Sequence, residues 1–352
     1  MKKLLHLAAP LRNVGDNALI LGVHNLFKDF NLELQHLRST VIDIKLINLI
    51  NDKYDGLIIG GGGLLHAPKS IIDRKSDTTG TLIMTDVDNL KYLKKPLIIY
   101  GVGYNVFRGE QHLPDIAKKS INTLINNHHF SVRNDGSKER LAEYLDTDSS
   151  RILEIPDPGL YVTPVESTLS RSVSGDNNIA IQIAADRLNH RFKNKDEVAR
   201  FVQNIKNFIN SVSSEYTCWL VPHCPVDDDF IKLHFKGYKT VTLKLQLKEA
   251  REIMGFYSKM KVVIGQRGHG NICPFGINVP IISLVSHDKN LGFMKKIGFE
   301  KYAVDASDPV LSDKLISLVK DIDDNYKVNM RKSTLEMRTK SEKYITELSK
   351  II

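Results

Sequence analysis

The stretch VVIGQRGHGNICPFGINVPIISLVSHDK, residues 262–289, carries the alternation that decides the fold. Val262, Val263 and Ile264 read as the end of a buried strand, and Gly265 turns the chain out of it. A helix opens near Asn271, and Pro280–Val285 is apolar enough for a second buried strand. Strand, helix and strand in succession make one unit of a parallel α/β sheet, and ligands sit in the loops after such strands. Here that loop reads QRGHG, with Arg267 and His269 one residue apart among Gly265, Gly268 and Gly270. An arginine fork suits a phosphate or carboxylate, and a histidine moves a proton near neutral pH. From this stretch alone, a catalytic anion-binding loop and an exposed polar turn are both open.

The same alternation extends in both directions. Candidate strands in the first half are Leu4–Ala9, Gly56–Ile59, Leu97–Tyr100, His129–Val132 and a short piece near Ile152–Ile155, with helices such as Asn17–Asp29 and Ile116–Asn126 between them. A polar stretch, TPVESTLSRSVSGDN (163–177), precedes a fresh start at Asn178–Ala184. Later strands are expected at Tyr216–Val221, Thr240–Leu243, Lys261–Ile264, Pro280–Val285 and Tyr302–Val304, with helices at Lys195–Val212 and Leu247–Ser258. At 352 residues the chain exceeds what one core usually fills. The expected fold is α/β: two Rossmann-like domains, residues 1–165 and 175–325, facing across a cleft, then a charged C-terminal helix over 326–352.

Composition narrows the function classes. Apolar residues make up 42% and charged residues 26%, the balance of an ordinary globular protein. The formal charge of +8 suits an anionic ligand, but the lysines are spread out and no basic block carries interleaved aromatics, which argues against nucleic acid. Three cysteines, Cys218, Cys224 and Cys273, form no CxxC pair and fit a reducing compartment. The opening MKKLLHLAAPLRN is broken by His6, Pro10 and Arg12, so a first strand is the better reading than a signal peptide. No run reaches the ~18–20 apolar residues of a membrane span. A cytoplasmic protein is expected, with peripheral contact at an anionic inner membrane as a hypothesis resting on the charge and the terminal helix.

Each strand end carries an unusual loop. In NVGDNA, Asn13, Gly15 and Asp16 offer either an anion site at a helix start or a plain cap made by Asp16. Gly60 to Gly63, including Gly61, Gly62 and Gly63, suit a backbone that must come close to a ligand or a neighbouring helix. Gly103 and Asn105 repeat the theme in GVGYN, and His66 follows the glycines. Arg133 ends a buried strand and calls for a carboxylate or phosphate partner, whereas Asp135 to Ser137 read as a helix cap. Asp157, between two prolines in IPDPGL, reads as a rigid turn. His223 and Cys224 lack a second cluster that would complete a metal site, and Asp227, Asp228 and Asp229 suit a helix start. Asp288 and Lys289 add a further phosphate contact after the next strand.

Taken in order, NVGDNA (13–18), YDGLIIGGGGLL (54–65), KPLIIYGVGYN (95–105), FSVRNDGS (130–137), IPDPGL (155–160), VVIGQRGHG (262–270) and GINVPIISLVSHDK (276–289) resemble the polysaccharide pyruvyl transferase family. The resemblance implies a fold like that of GT-B glycosyltransferases and transfer of pyruvate from phosphoenolpyruvate onto a sugar, usually as a ketal. The family hallmark, an arginine and a histidine separated by one residue, matches Arg267 and His269, with Gly268 where the family has leucine. Gly15 and Asp16 match the first loop, and Arg133 matches an arginine turn, though Asn134 intervenes before Asp135. The roles implied are donor binding by Arg267, Arg133 and Lys289, and proton transfer by His269, with Asp16 as a second carboxylate on the facing domain. His223 and the glycine loops line the cleft. No metal or nucleotide cofactor is called for; the partners are phosphoenolpyruvate and a sugar or lipid-linked oligosaccharide. The competing readings are a glycosyltransferase using a nucleotide sugar and a non-catalytic glycan-binding relative.

Overall fold

The computed structural model describes residues 1–9, 13–37, 40–66, 79–83, 85–104, 106–107, 113–243, 247 and 249–352. Six parallel strands form the first sheet: β1 (Lys3–Ala8), β2 (Asn31–His36), β3 (Gly56–Leu65), β4 (Leu97–Tyr104), β5 (His129–Arg133) and β6 (Leu153–Ile155). Their order across the sheet is β2-β1-β3-β4-β5-β6. A second parallel sheet holds β7 (Asn178–Gln182), β8 (Thr217–Val221), β9 (Val262–Gly265), β10 (Ile281–Val285) and β11 (Ala303–Asp305), in the order β11-β10-β9-β7-β8. In both sheets the order reverses beside the first strand, which is where α/β proteins open a ligand crevice.

The inner strands are buried along their length, so their sequence is nearly continuous Val, Ile and Leu. The edge strand β2 escaped the sequence reading. Its NLELQH alternates exposed and half-buried residues and contains no apolar run. Thr240–Leu243, expected as a strand, forms only a single bridge between Thr240 and Leu220. The helix expected near Asn271 begins earlier, at Gly268, which puts His269 in its first turn. That shift of three residues matters for the site.

The C-terminal helix, Asp324–Ser349, ties the two halves together. At its start the Tyr326 hydroxyl accepts from the Ile281 amide and donates to its carbonyl, both at 2.9 Å, in the second sheet. Near its end Tyr344 stacks on Tyr100 of the first sheet at 6.0 Å, and Leu348 joins the core beneath it. Midway, the Tyr161 hydroxyl bonds Ser341 Oγ at 2.6 Å. Among the described residues, no helix is long and apolar enough to cross a membrane.

Candidate active site

The carboxyl ends of both sheets face one cavity of about 500 Å³. From the first half it is lined by the start of the first helix (Asn13, Asp16), by Gly61 to Gly63 of β3, and by His66, Phe107 and Arg133. From the second half come Asp186, Arg187 and Arg191 after β7, His223 after β8, Arg267 to His269 after β9, and Lys289 after β10. Five of the lining side chains are cationic and two, Asp16 and Asp186, are anionic. Such a wall concentrates anions.

The RGH loop is braced before any ligand arrives. The Arg267 amide donates to Gln182 Oε1 at 2.6 Å, and Asn271 Nδ2 donates to the carbonyls of Gly265 and Arg267 at 3.0 Å each. Gln182 and Asn271 are themselves buried. The loop therefore holds its side chains in fixed positions, as electrostatic catalysis requires.

His269 sits on the seam between the two halves. Its Nε2 stands 3.5 Å from Asp157 Oδ2. On its other face lies Gly15 of the first helix, where a methyl group would come within 2.5 Å of His269 Nδ1. Gly15 is thus required for close approach of the two halves. The cap of that helix is Asn13, whose Oδ1 accepts from the Gly15 amide at 2.8 Å. The capping role considered for Asp16 belongs to Asn13, and Asp16 lines the cavity.

Asp157 is the residue whose importance was not legible in the sequence. It is fully buried, and Oδ1 accepts from the Gly159 amide at 2.7 Å. Oδ2 accepts from Arg133 Nη1 at 3.3 Å and faces His269. Burial works against its charge, but His269, Arg133 and the Gly159 amide outweigh burial and hold its pKa below the usual value. The signal lay in IPDPGL: a carboxylate fixed between prolines at the end of β6 cannot swing away.

Both arginines expected at the donor are locked by aspartates. Arg133 is buried, with Nε 2.6 Å from Asp135 Oδ2 in addition to its bond to Asp157. Gly103 packs against its guanidinium; a methyl there would lie 2.7 Å from Nε. Arg267 makes a fork on Asp227, Nε to Oδ2 and Nη2 to Oδ1, both at 2.7 Å, and Nη2 also meets Asp186 at 2.7 Å. Burial works to lower the Arg267 pKa, but these carboxylates overcome it and raise it. Asp227 stands in the first turn of the helix Pro225–His234, as expected of a helix-start aspartate, but it is also buried and accepts from the amides of Ala185 and His223.

His223 lines the cavity with its ring against Tyr257, Nε2 to hydroxyl at 2.8 Å, and burial drives its pKa down to about 3. Cys224 Sγ accepts from Arg267 Nη2 at 3.0 Å, so its sulfur is engaged within the loop. Lys289 has its pKa lowered to about 7 by burial and by Arg133 and Arg191. Gly61, at φ +71°, lets β3 pass close to the first helix, a methyl there lying 3.0 Å from Leu19 Cβ. Gly268 is different: a methyl there would meet Lys289 Cε at 3.5 Å, an ordinary contact that needs no shift. Asn105 lies outside the described residues. Among the described residues, no group of three His, Cys, Asp or Glu side chains is placed to hold a metal.

Two parallel-sheet domains with a cavity at their facing strand ends are the GT-B architecture, which this chain shares with solved structures of low sequence identity. One is a Listeria monocytogenes protein assigned as a UDP-N-acetylglucosamine 2-epimerase: TM-score 0.54, 12% identity, covering 93% of this chain and 90% of that one. The spinosyn rhamnosyltransferase SpnG matches with TM-score 0.54 and 9% identity over 99% of this chain and 100% of its own. S. aureus MnaA, solved with UDP, gives 0.52 and 10% over 94% and 91%. Among curated protein sequences none matches. The chain belongs to the polysaccharide pyruvyl transferase family, whose model matches residues 11–288. The family is one of transferases, and its span takes in the cavity-lining residues from Asn13 to His269.

Proposed function

We propose that the protein transfers the pyruvyl group of phosphoenolpyruvate to two hydroxyls of a sugar, in a cell-surface polysaccharide or its lipid-linked precursor, releasing phosphate. The observation that carries this reading is His269, 3.5 Å from the Asp157 carboxylate at the wall of a cavity with an excess of cations.

The chemistry needs one proton at carbon and one at phosphate. Protonation of the methylene carbon of phosphoenolpyruvate makes it a methyl group and leaves an electrophilic carbon between the carboxylate and the phosphate oxygen. A first sugar hydroxyl adds there. The C–O bond to phosphate then breaks, a second hydroxyl closes the ketal, and phosphate leaves carrying the second proton. His269 supplies the proton to carbon, with the Asp157 carboxylate beside its ring. Asp16, on the facing wall, accepts a hydroxyl proton. Arg267 and Arg133 present fixed cationic edges to the donor, and Lys289 adds charge that grows as the anion enters. A cavity of about 500 Å³ is in the range that holds a small donor together with one sugar ring.

The test follows phosphate release from phosphoenolpyruvate with a panel of pyranoside diols in D2O. Acceptor-dependent phosphate release with deuterium in the new methyl group is expected. Release of UDP from a UDP-sugar with no turnover of phosphoenolpyruvate would instead make the protein a glycosyltransferase.

A further inference from the structure

Arg187 stands out in the cavity wall for its backbone. It sits at φ 54° and ψ 45°, the left-handed region, one of three non-glycine residues with positive φ among the described residues. A residue that is neither glycine nor asparagine stays there only when its surroundings force it, and such residues gather at ligand sites. The cost is borne in the turn between β7 and the short helix Leu188–Arg191, at the carboxyl end of an inner strand of the second sheet.

The strained turn aims the guanidinium into a crowd of like charge. Arg187 Cζ lies 4.5 Å from the centroid of the Phe107 ring, Arg191 Cζ 5.3 Å and Lys289 Nζ 5.8 Å. Three cations converge on one apolar ring with Asp186 bonded to Arg191 beside them, and an arriving anion would offset the repulsion among them. Arg187 Nη2 also reaches His66 Nε2 at 3.2 Å, so it touches the first half beyond the glycine strand. Arg191 is built in: Nη1 donates to Ser286 Oγ and Nη2 to Asp186 Oδ1, both at 2.9 Å, and Nε donates to the Asp186 carbonyl at 2.8 Å. Arg133 and Arg267, nearer His269, are each held by two aspartates.

We infer that Arg187, with Lys289, binds the phosphate of the donor, so that the donor lies with its phosphate over Phe107 and its methylene carbon toward His269. This rests on the pyruvyl-transfer reading and adds to it the orientation of the donor and a residue that the RGH motif does not include. Lys289 fits the role because its lowered pKa leaves it able to gain charge when a phosphate arrives.

The experiment separates binding from folding. Arg187→Gly removes the guanidinium and suits the left-handed turn, so the ligand-free variant should melt at or above the wild-type temperature. Arg187→Asn, which also tolerates this conformation, is the second removal variant. Calorimetric titration with phosphoenolpyruvate and, separately, inorganic phosphate should show affinity at least tenfold weaker in both variants, with partial recovery in Arg187→Lys. Any smaller loss in both removal variants overturns the inference. A wild-type protein that binds phosphoenolpyruvate beside an Arg187→Gly protein that binds it equally well removes this inference alone. A wild-type protein that binds neither ligand removes the pyruvyl-transfer reading along with it.

Discussion

His269 Nε2 faces Asp157 Oδ2 at 3.5 Å, and the same carboxylate oxygen accepts from Arg133 Nη1 at 3.3 Å. One aspartate therefore couples the histidine after β9 to the arginine at the end of β5. Asp157→Asn keeps the shape and removes the negative charge that faces the His269 ring. Turnover should fall about 10²-fold or more while donor affinity changes little. Unchanged turnover in Asp157→Asn would show that Asp157 only fills space.

Gly15 gives a second test of the same geometry. An added methyl meets His269 Nδ1 at 2.5 Å, so Gly15→Ala pushes the ring off Asp157 or forces the two halves apart. Overpacking of this kind costs about 1–3 kcal/mol in stability. Displacement of a reacting group by about 1 Å can cost 10²-fold in rate. The expected result is a modest drop in melting temperature and a much larger drop in turnover.

Removing Asp227 leaves Arg267 with a buried charge and Asp186 as its one remaining carboxylate partner. Asp227→Ala should destabilise the fold by about 3–5 kcal/mol, the usual penalty for breaking a buried pair, measurable by urea unfolding. Arg267→Ala should show a comparable loss, so its effect on activity must be read on protein shown to be folded. Arg267→Lys is no conservative change, because lysine cannot reproduce the fork on Asp227.

Buried histidines weaken the fold in acid, His6 and His223 among them. Burial lowers the pKa of His6 to about 4 and of His223 to about 3. The unfolded chain protonates both near 6.5, so it binds more protons than the fold once the pH drops below that value. Stability should be fully present above about pH 6.5 and decline toward pH 3–4, each histidine contributing a slope of up to about 1.4 kcal/mol per pH unit. His6→Gln lies outside the cavity lining and should flatten the dependence of melting temperature on pH; an unchanged slope would show that His6 titrates normally.

Lys289 titrates in the opposite range. Its pKa in the fold, about 7, is below its ordinary value near 10.5. The unfolded chain thus binds the extra proton between these values, and this group makes the ligand-free fold gain stability as pH rises from about 7 to 10.5. A bound anion restores the charge. Calorimetry at pH 8 in buffers of different ionisation enthalpy should show proton uptake on binding phosphoenolpyruvate, and Lys289→Met should abolish it.

Much of the site could be read from the sequence because glycine and arginine at strand ends are conspicuous against Val, Ile and Leu. The two-sheet fold, the RGH loop and the glycine-bearing loops were legible in that way. The aspartates were not. Asp157 and Asp227 resembled a turn and a helix-start residue, and an ion pair across 24 or 40 residues leaves no local pattern. The edge strand β2 was missed because an edge needs no continuous apolar run. Arg187 and Phe107 draw their meaning from each other across the cavity, which no local window spans.

The most direct test is differential scanning fluorimetry of the full chain with phosphoenolpyruvate, inorganic phosphate, UDP and UDP-sugars. A pyruvyl transferase site predicts that phosphoenolpyruvate raises the melting temperature with saturation while UDP and UDP-sugars leave it unchanged. Stabilisation by UDP-sugars with no response to phosphoenolpyruvate would contradict the pyruvyl-transfer reading.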